Sequence, residues 1–190
     1  MAIPFNIDQL KARLQGGGAR SNLFSVQLNN PVAGTFVDGY NGQFLIHAAK
    51  LPEVELGTIE VPYMGRKLRL PGDRTFPAWT VSIINDENFA LRTGFENWIN
   101  AINDIQNNVR SASAATLDSL KSSATITQYS KTGSAIKSYT FAGLFPNNIS
   151  EIGLDWNTTD QIEYFQVSFM YDYWTTNPTT VTSVTTTVGL

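Results

Sequence analysis

The chain has 190 residues, a hydrophobic fraction of 42%, a charged fraction of 15% and a formal net charge of −3 at pH 7. The length favours one domain around one core, and the negative net charge excludes a global attraction to DNA or to an anionic membrane. The absence of cysteine excludes disulfides and thiolate zinc sites. No apolar run approaches the length that spans a bilayer, so we expect no membrane insertion.

Strands dominate the first half of the chain. Three segments show period-two alternation or a continuous apolar run: residues 24–28, 44–51 and 75–84. In the third segment, Trp79, Val81 and Ile83 share one face, which predicts a strand with one buried side. His47 interrupts the second segment without a Ser, Asp or Glu pattern nearby, so we interpret it as a core or interface histidine and not as a catalytic group.

One long helix is predicted after the third strand. Asn85 or Asp86 is placed to cap its first turn. Apolar side chains then recur at helical spacing: Leu91, Phe95, Trp98, Ile99 and Ile102. Residues 104–122 are rich in Ala, Ser and Asn without clear periodicity, which indicates a surface connection with room for a helical turn.

The second half of the chain predicts strands at residues 124–129, 136–144, 149–156 and 161–174. In the last of these, the core face carries Phe165, Val167, Phe169, Tyr171 and Tyr173. The other face carries Gln166, Ser168 and Asp172. Antiparallel strands with one amphipathic helix predict a mainly β fold, an antiparallel β-sandwich or partly open barrel with one outer α-helix. Such sheets have edges that are either covered or used for assembly.

Two long runs carry a resemblance to a known family. They are MGRKLRLPGDRTFPAWTVSIINDENFALRTGFENW (residues 64–98) and GLFPNNISEIGLDWNTTDQIEYFQVSFMYDYW (residues 143–174). Both resemble the tail tube proteins of T4-type contractile bacteriophages, which are related to the tubes of type VI secretion and other contractile injection systems. The GDRTF turn, WTV strand, NDE segment and closing DYW of that family match residues 72–76, 79–81, 85–87 and 172–174. The resemblance covers residues 21–174.

The resemblance implies a structural subunit of tail-tube fold, without enzymatic activity and without a cofactor. Members of the family form hexameric rings that stack into a hollow tube, which a contracting sheath drives into the host while DNA passes through it. The implied partners are further copies of the chain, the sheath, baseplate and tail-terminator proteins, and a tape-measure protein and DNA in the lumen without sequence specificity. The implied location is the virion tail, assembled in the host cytoplasm.

The stacking loop of the family corresponds to residues 51–72, which include a run of cationic side chains. From Glu53 to Arg74 the acidic and basic residues are equal in number, so the patch lacks the uncompensated positive charge that nucleic acid requires. A solvated hairpin is the interpretation without the resemblance, whereas the resemblance favours contacts between copies with opposed charges fixing the register. The predicted ring or stacking contacts are Glu53, Glu55, Glu60, Arg66, Lys67, Arg69, Asp73 and Arg74.

A channel that passes DNA is expected to have a polar wall that is neutral to acidic, because such a wall does not adhere to the polyanion. The predicted lumen-facing residues are Gln166, Ser168 and Asp172, with Glu151 and Asp155 as weaker candidates. Together with Asp160 and Glu163, these last two acids also suggest a paired-acid glycosidase or a cation site. We favour solvated or lumen-facing acids, because the four flank a predicted strand turn.

Both ends of the chain are predicted to lie outside a main domain of residues 21–174. Residues 1–20 contain a short amphipathic arm and a glycine hinge at residues 16–18. The apolar residues of the arm are Ile7, Leu10 and Leu14. Residues 175–190 carry no charge and many Thr and Val. We expect this tail to lie extended along the tube or a neighbouring copy by strand addition, against the alternative of a disordered end.

Two other functions stay open from the sequence. One is the inner tube of a contractile injection or type VI secretion system that carries protein effectors. The other is a monomeric β-sandwich binding module, which predicts an exposed aromatic platform and no assembly.

Overall fold

A computed structural model describes residues 7–29, 45–111, 116 and 118–177, apart from the side chain of Gln15. The helices and strands are, in chain order, α1 (Ile7–Arg13), a 3-10 turn (Gln15–Gly17), β1 (Phe24–Leu28), β2 (Ile46–Ala49), β3 (Glu55–Tyr63), β4 (Arg66–Thr75), β5 (Trp79–Ile84), α2 (Ala90–Ile102), β6 (Ser122–Tyr129), β7 (Ala135–Ile149), β8 (Tyr164–Met170) and β9 (Tyr173–Asn177). The tail beyond Asn177, with its predicted strand addition, lies outside the described residues.

The long strand β7 joins the two halves of the main sheet. The strand order is β1-β6-β7-β8-β5-β2, with β9 also paired to β7. The first part of β7 pairs with β6 and β9, and its last part, residues 145–149, pairs with β8. A register shift between Pro146 and Asn148 interrupts the second pairing. The predicted mainly β, antiparallel fold is confirmed, and the described part of the sheet bends around the core without closing into a barrel.

The core lies between the inner face of this sheet and α2. The three inward residues predicted for β5 are all buried. Trp79 stacks on Phe141 of β7 with ring centroids 4.4 Å apart. Phe95 of α2 lies edge-on against Phe169 of β8 at 5.8 Å. Burial of each large apolar side chain contributes about 1.5–3 kcal/mol, so these aromatic contacts hold β5 against β7 and α2 against β8.

Helix α2 confirms the predicted helix but begins later than expected. Phe89 occupies the N-cap position with a φ of 52° and makes no side-chain cap. The Asp86 carboxylate instead accepts a hydrogen bond from the Ala90 N–H at 3.1 Å, so the predicted capping residue acts from four positions upstream. Farther along, the Trp98 indole N–H donates to the Leu120 carbonyl at 2.9 Å, which ties the following connection to the helix.

The strand predicted at residues 149–156 is wrong. β7 ends at Ile149, and residues 150–163 contain neither helix nor strand. Asp155 Oδ1 accepts a hydrogen bond from the Asn157 N–H at 2.9 Å, which closes a turn where a strand was expected. Ile149 and Ile152 are partly buried against the core, whereas Leu154 and Trp156 are exposed, so the alternation does not reflect one face buried within the chain.

The strand predicted at residues 161–174 is divided into two. The inward apolar residues of β8 are buried as expected. The chain then leaves the strand at Tyr171 and Asp172, and β9 continues along β7 in the same direction as β8. Because of this break, Tyr171 is only half buried, and Tyr173, predicted for the core, is exposed. β9 continues to Asn177, so the first residues of the predicted tail are part of the sheet.

Two other predicted strands are shorter than expected. β2 covers Ile46–Ala49 of the predicted segment, while Phe44 lies outside the described residues. β5 begins at Trp79 because Pro77, which has no N–H to donate, separates it from β4.

His47 is exposed, with its ring centroid 4.8 Å from that of Tyr164. Its interpretation as a core histidine is therefore wrong, and its role at an interface stays a prediction.

The bend between β8 and β9 depends on Gly143 of β7. This glycine has a φ of +68°, and a Cβ at this position would overlap with Asp172 Oδ2. The Asp172 N–H donates to the Ala142 carbonyl at 3.0 Å, and its carboxylate accepts hydrogen bonds from Lys121 Nζ at 2.8 Å. Only glycine therefore leaves room for Asp172 beside Lys121.

We expect Gly143→Ala to lower the free energy of unfolding by about 2–4 kcal/mol, because it combines left-handed backbone strain with displacement of Asp172. The measurement is urea denaturation followed by circular dichroism. Gly133→Ala is the matched control, since Gly133 has a φ of +82° but no atom within 4 Å of an added Cβ. In an Asp172→Ala background, which lacks the carboxylate, Gly143→Ala and Gly133→Ala should lower the free energy of unfolding by nearly the same amount. Equal losses for both in the wild-type background would contradict the steric argument.

Candidate assembly surfaces

The β3–β4 hairpin stands apart from the main sheet as a two-stranded ribbon. Its turn residues, Met64 and Gly65, have φ values of 43° and 81°, as in hairpin turns whose twist matches that of the strands. Every residue of β3 is exposed, and in β4 only Gly72 is partly covered. An isolated two-stranded hairpin is marginally stable in water, so this ribbon requires another surface to become rigid.

One face of the hairpin is apolar. The register pairs Ile59 with Leu70 and Val61 with Leu68. Since directly opposed residues project to the same face, these four side chains form one patch, here called the apolar face. Each exposes between 41% and 58% of its surface. A patch of this kind on a ribbon without a core is typical of a surface that another molecule covers.

The opposite face of the hairpin is charged. Glu60 lies 2.5 Å from Lys67 Nζ and 3.3 Å from Arg69 Nε. Lys67 and Arg69 are largely exposed, so each pair contributes no more than about 1 kcal/mol. These three predicted contact residues therefore meet within one hairpin.

The other predicted contact residues are distributed along the hairpin. Arg66 follows the turn, whereas Glu55 begins β3, and Asp73 and Arg74 lie near the end of β4. Glu53 precedes β3 at the base of the hairpin, where its carbonyl accepts a hydrogen bond from the Tyr171 hydroxyl at 3.5 Å. Burial, with a smaller effect of the Glu53 charge, raises the pKa of that hydroxyl above its ordinary value.

The outward face of β5 and β8 carries no charge and is polar in its middle part, between Tyr164 at one end and Met170 at the other. Thr80 lies opposite Ser168, and Ser82 lies opposite Gln166. The hydroxyls of Thr80 and Ser168 are 3.0 Å apart and share a hydrogen bond. The structure therefore brings together two of the three predicted lumen-facing residues, Gln166 and Ser168, on what we call the polar face.

The third predicted lumen-facing residue, Asp172, does not lie on the polar face. It belongs to the connection between β8 and β9, where it forms an ion pair with Lys121 at 2.8 Å. Glu151 and Asp155 lie beyond the end of β7. The strand alternation that grouped Asp172 with Gln166 fails because β8 ends at Met170.

Residues 150–163, here called the acidic loop, contain four acidic residues and no basic residue. The Ser150 N–H donates to the Gln166 carbonyl at 2.8 Å, which fixes the start of the loop against β8. The middle of the loop projects outward, with Leu154 81% exposed and Trp156 completely exposed. Because the sequence was interpreted as a strand here, this exposed aromatic was missed.

The described part of the chain contains neither a group of metal-ligating side chains nor a helix that could cross a membrane. Within it, no three His, Cys, Asp or Glu side chains are grouped to hold a metal ion. The carboxylates of the acidic loop therefore give no support to a cation site. The described helices are also too short or too polar to cross a bilayer.

The fold is similar to that of subunits from contractile injection machines. It matches the tube-terminating cap of the anti-feeding prophage with a TM-score of 0.61 and 21% identity, over 84% of this chain and 91% of that chain. It also matches the sheath/tube terminator of an extracellular contractile injection system, PVC, with a TM-score of 0.61 and 17% identity, over 84% and 96% of the two chains. These similarities define a tail-tube class of fold.

The sequence comparisons specify the family within this class. Tail tube protein gp19 of Enterobacteria phage T4 is 33% identical over 168 residues, which cover 88% of this chain and 97% of that protein. The profile of the family described as phage tail tube protein matches residues 19–177. The chain therefore belongs to the phage tail tube protein family, a family of structural proteins, and the resemblance predicted from the sequence is confirmed.

The apolar face of the hairpin was also missed in the sequence analysis, which considered only the charges of this segment. The signal was nevertheless present. Ile59, Val61 and Tyr63 alternate with other residues before a two-residue turn, and Leu68 and Leu70 alternate after it. This is the pattern of a hairpin with one apolar side.

We expect the amides of the hairpin to exchange with solvent at least about a hundredfold faster than those of β5 and β8 in the dispersed monomer, because no core protects the ribbon. Hydrogen exchange with mass spectrometry on a fraction shown to be monomeric measures this difference. The β5–β8 pair serves as the internal reference in the same sample. Uniform protection of both regions would contradict the marginal stability of the isolated hairpin.

Proposed function

We propose that the chain is the structural subunit of the tail tube of a contractile phage. Copies form hexameric rings, the rings stack into a hollow tube, and the tube conducts DNA into the host after sheath contraction. The exposed apolar face of the hairpin, in a chain of this family, is the observation that carries the proposal. The tube works in the virion tail together with sheath, baseplate, tail-terminator and tape-measure proteins, after assembly in the host cytoplasm.

Ring formation is supported by the open sheet. β1 and β2 are the outer strands of the main sheet, and they are not paired with each other in the described structure. An unpaired edge exposes N–H and C=O groups that pair readily with another strand. Joining edges from neighbouring copies satisfies these groups and produces a closed ring.

Stacking is assigned to the hairpin. Its apolar face supplies surface to bury, and its charged residues supply the register predicted from the sequence. Because Glu60 already holds Lys67 and Arg69, the apolar face contributes more to contact affinity than these ion pairs do. The sequence-based proposal assigned the register of the contact to these charges and did not consider the apolar face.

We expect the double variant Val61→Thr and Leu68→Thr to abolish tube formation while changing the unfolding free energy of the monomer by less than about 0.5 kcal/mol. Thr keeps the strand propensity but removes apolar surface from the contact. Negative-stain microscopy detects tubes, and urea denaturation reports the stability of the monomer.

The matched control is the double variant Ile105→Thr and Val109→Thr. These residues are 88% and 61% exposed and lie outside the hairpin. They should leave assembly unchanged. Normal tubes from the hairpin variant would refute stacking through the apolar face, and dispersed monomers of wild-type protein at every concentration would favour the monomeric binding module.

The channel wall is assigned to the polar face. Its side chains carry no charge, and the hydroxyls of Thr80 and Ser168 satisfy each other. A wall of this kind offers a passing polyanion few sites of adhesion. Gln166 and Ser168 therefore remain the proposed lumen residues, while the pairing of Asp172 with Lys121 weakens the assignment of that carboxylate.

We expect tubes of Gln166→Lys to retain DNA that is protected from nuclease, whereas wild-type tubes retain none, because rings of lysine would neutralise phosphates inside the channel. The measurement is fluorescence of a short labelled duplex after assembly, nuclease treatment and gel filtration. Thr93→Lys is the control, since it adds the same charge to an exposed position of α2. Equal protection in both variants would contradict a lumen position for Gln166.

The inner tube of a contractile injection system is the second candidate function. Its support is the fold shared with the anti-feeding prophage cap and the PVC terminator. A protein cargo would replace DNA in such a tube. Purification of tubes from the producing cells separates the two functions, because a phage tail is joined to a DNA-filled capsid and an injection machine is not.

A further inference from the structure

The hairpin and the acidic loop lie at opposite ends of the same pair of strands. β5 begins at Trp79, where the chain leaves the hairpin, and its register with β8 runs from Trp79 opposite Phe169 to Ile84 opposite Tyr164. The acidic loop ends just before Tyr164, and the Asn85 N–H donates to the Glu163 carbonyl at 2.9 Å. At about 3.3 Å per residue, β5 separates the two surfaces by roughly 17–20 Å.

The two surfaces are complementary in charge. The distal half of the hairpin, residues 58–70, contains one acid, Glu60, and three bases, Arg66, Lys67 and Arg69. The acidic loop contains four acids and no base. The positive end of one copy and the negative end of another therefore attract each other, whereas two hairpins or two loops repel.

The two surfaces are also both apolar where they are most exposed. The hairpin presents its apolar face, and the acidic loop presents Leu154, Trp156 and Ile162, which are exposed by 81%, 101% and 61%. Arg66 lies opposite Tyr63 and shares the side of the ribbon that bears the apolar face. This side therefore combines apolar surface with a cation, which matches an exposed aromatic residue in an acidic segment.

We propose that the hairpin of one copy docks on the acidic loop of the next copy, with Leu154 and Trp156 against Val61 and Leu68 and with Arg66 facing the carboxylates of the loop. The contact joins two different surfaces, so it repeats head to tail and builds an open stack instead of a closed pair. It rests on the proposed tube function, to which it adds the surface that receives the hairpin.

The absence of cysteine makes this contact directly testable. Leu68→Cys is introduced into one batch of protein and Leu154→Cys into a second batch that carries a mass tag. After mixed assembly and mild oxidation, we expect the disulfide-linked pair of the two species to form at least about tenfold more than with an Ile105→Cys partner, because a disulfide requires Cα atoms within about 7 Å. Ile105 is an 88% exposed position outside both surfaces.

A substitution separates stacking from ring formation. Trp156→Ser removes a completely exposed side chain, so the monomer should keep its stability. We expect single rings in place of tubes and at least about a tenfold higher concentration threshold for tubes, since one aromatic anchor dominates many interfaces. Val109→Ser is the control and should assemble like the wild type.

Different experimental outcomes would overturn the proposed contact alone and the proposed tube function. If wild-type and cysteine variants form tubes but Leu68→Cys and Leu154→Cys crosslink no more than the control, the contact is overturned and the tube function stands. Normal tube formation by Trp156→Ser would likewise overturn the contact and leave the tube function standing. If the wild-type protein forms neither rings nor tubes, both the contact and the proposed function are overturned.

Discussion

The antiparallel pairing of β5 with β8 is the contact on which the rest of the structure depends. Its inward residues form the wall against which α2 packs, and its outward residues form the polar face. Because the strands run in opposite directions, the same pairing also places the hairpin at one end and the acidic loop at the other. A slip of one residue in this register would move the inward side chains of β8 to the outward face and the outward side chains to the core. One register therefore positions the core, the polar face and both proposed assembly surfaces.

The sequence predicted the elements that the chain buries within itself. The alternation of Trp79, Val81 and Ile83 and the helical spacing of Phe95 and Trp98 identified β5 and α2, because both patterns arise from one shared core. Their ends were less predictable, since Pro77 and the Asp172 turn interrupt patterns that continue through them in the sequence. The family was recognisable because its turn and closing motifs survive as short local runs.

The assembly surfaces were predicted less well, for a physical reason. Period-two alternation indicates that one face of a strand is buried. It does not indicate whether the same chain or another molecule covers that face. The alternation before Trp156 was therefore interpreted as a strand, although Leu154 and Trp156 are exposed, and the apolar face was overlooked beside the charges of the hairpin. Exposed ion pairs such as Glu60 with Lys67 contribute little to affinity, so the proposal now rests on the alternation of Val61 and Leu68 beside the charges of this segment.

The continuity of β7 gives the subunit a mechanical axis. This single strand runs from Ala135 to Ile149 and holds β6, β8 and β9 by hydrogen bonds along its length. Ladder hydrogen bonds lie perpendicular to the strands, so a pull or thrust along β7 loads many of them in shear at the same time instead of opening them one by one. Force that enters one half of the sheet therefore reaches the other through an unbroken covalent backbone, and the subunit resists axial load as a unit.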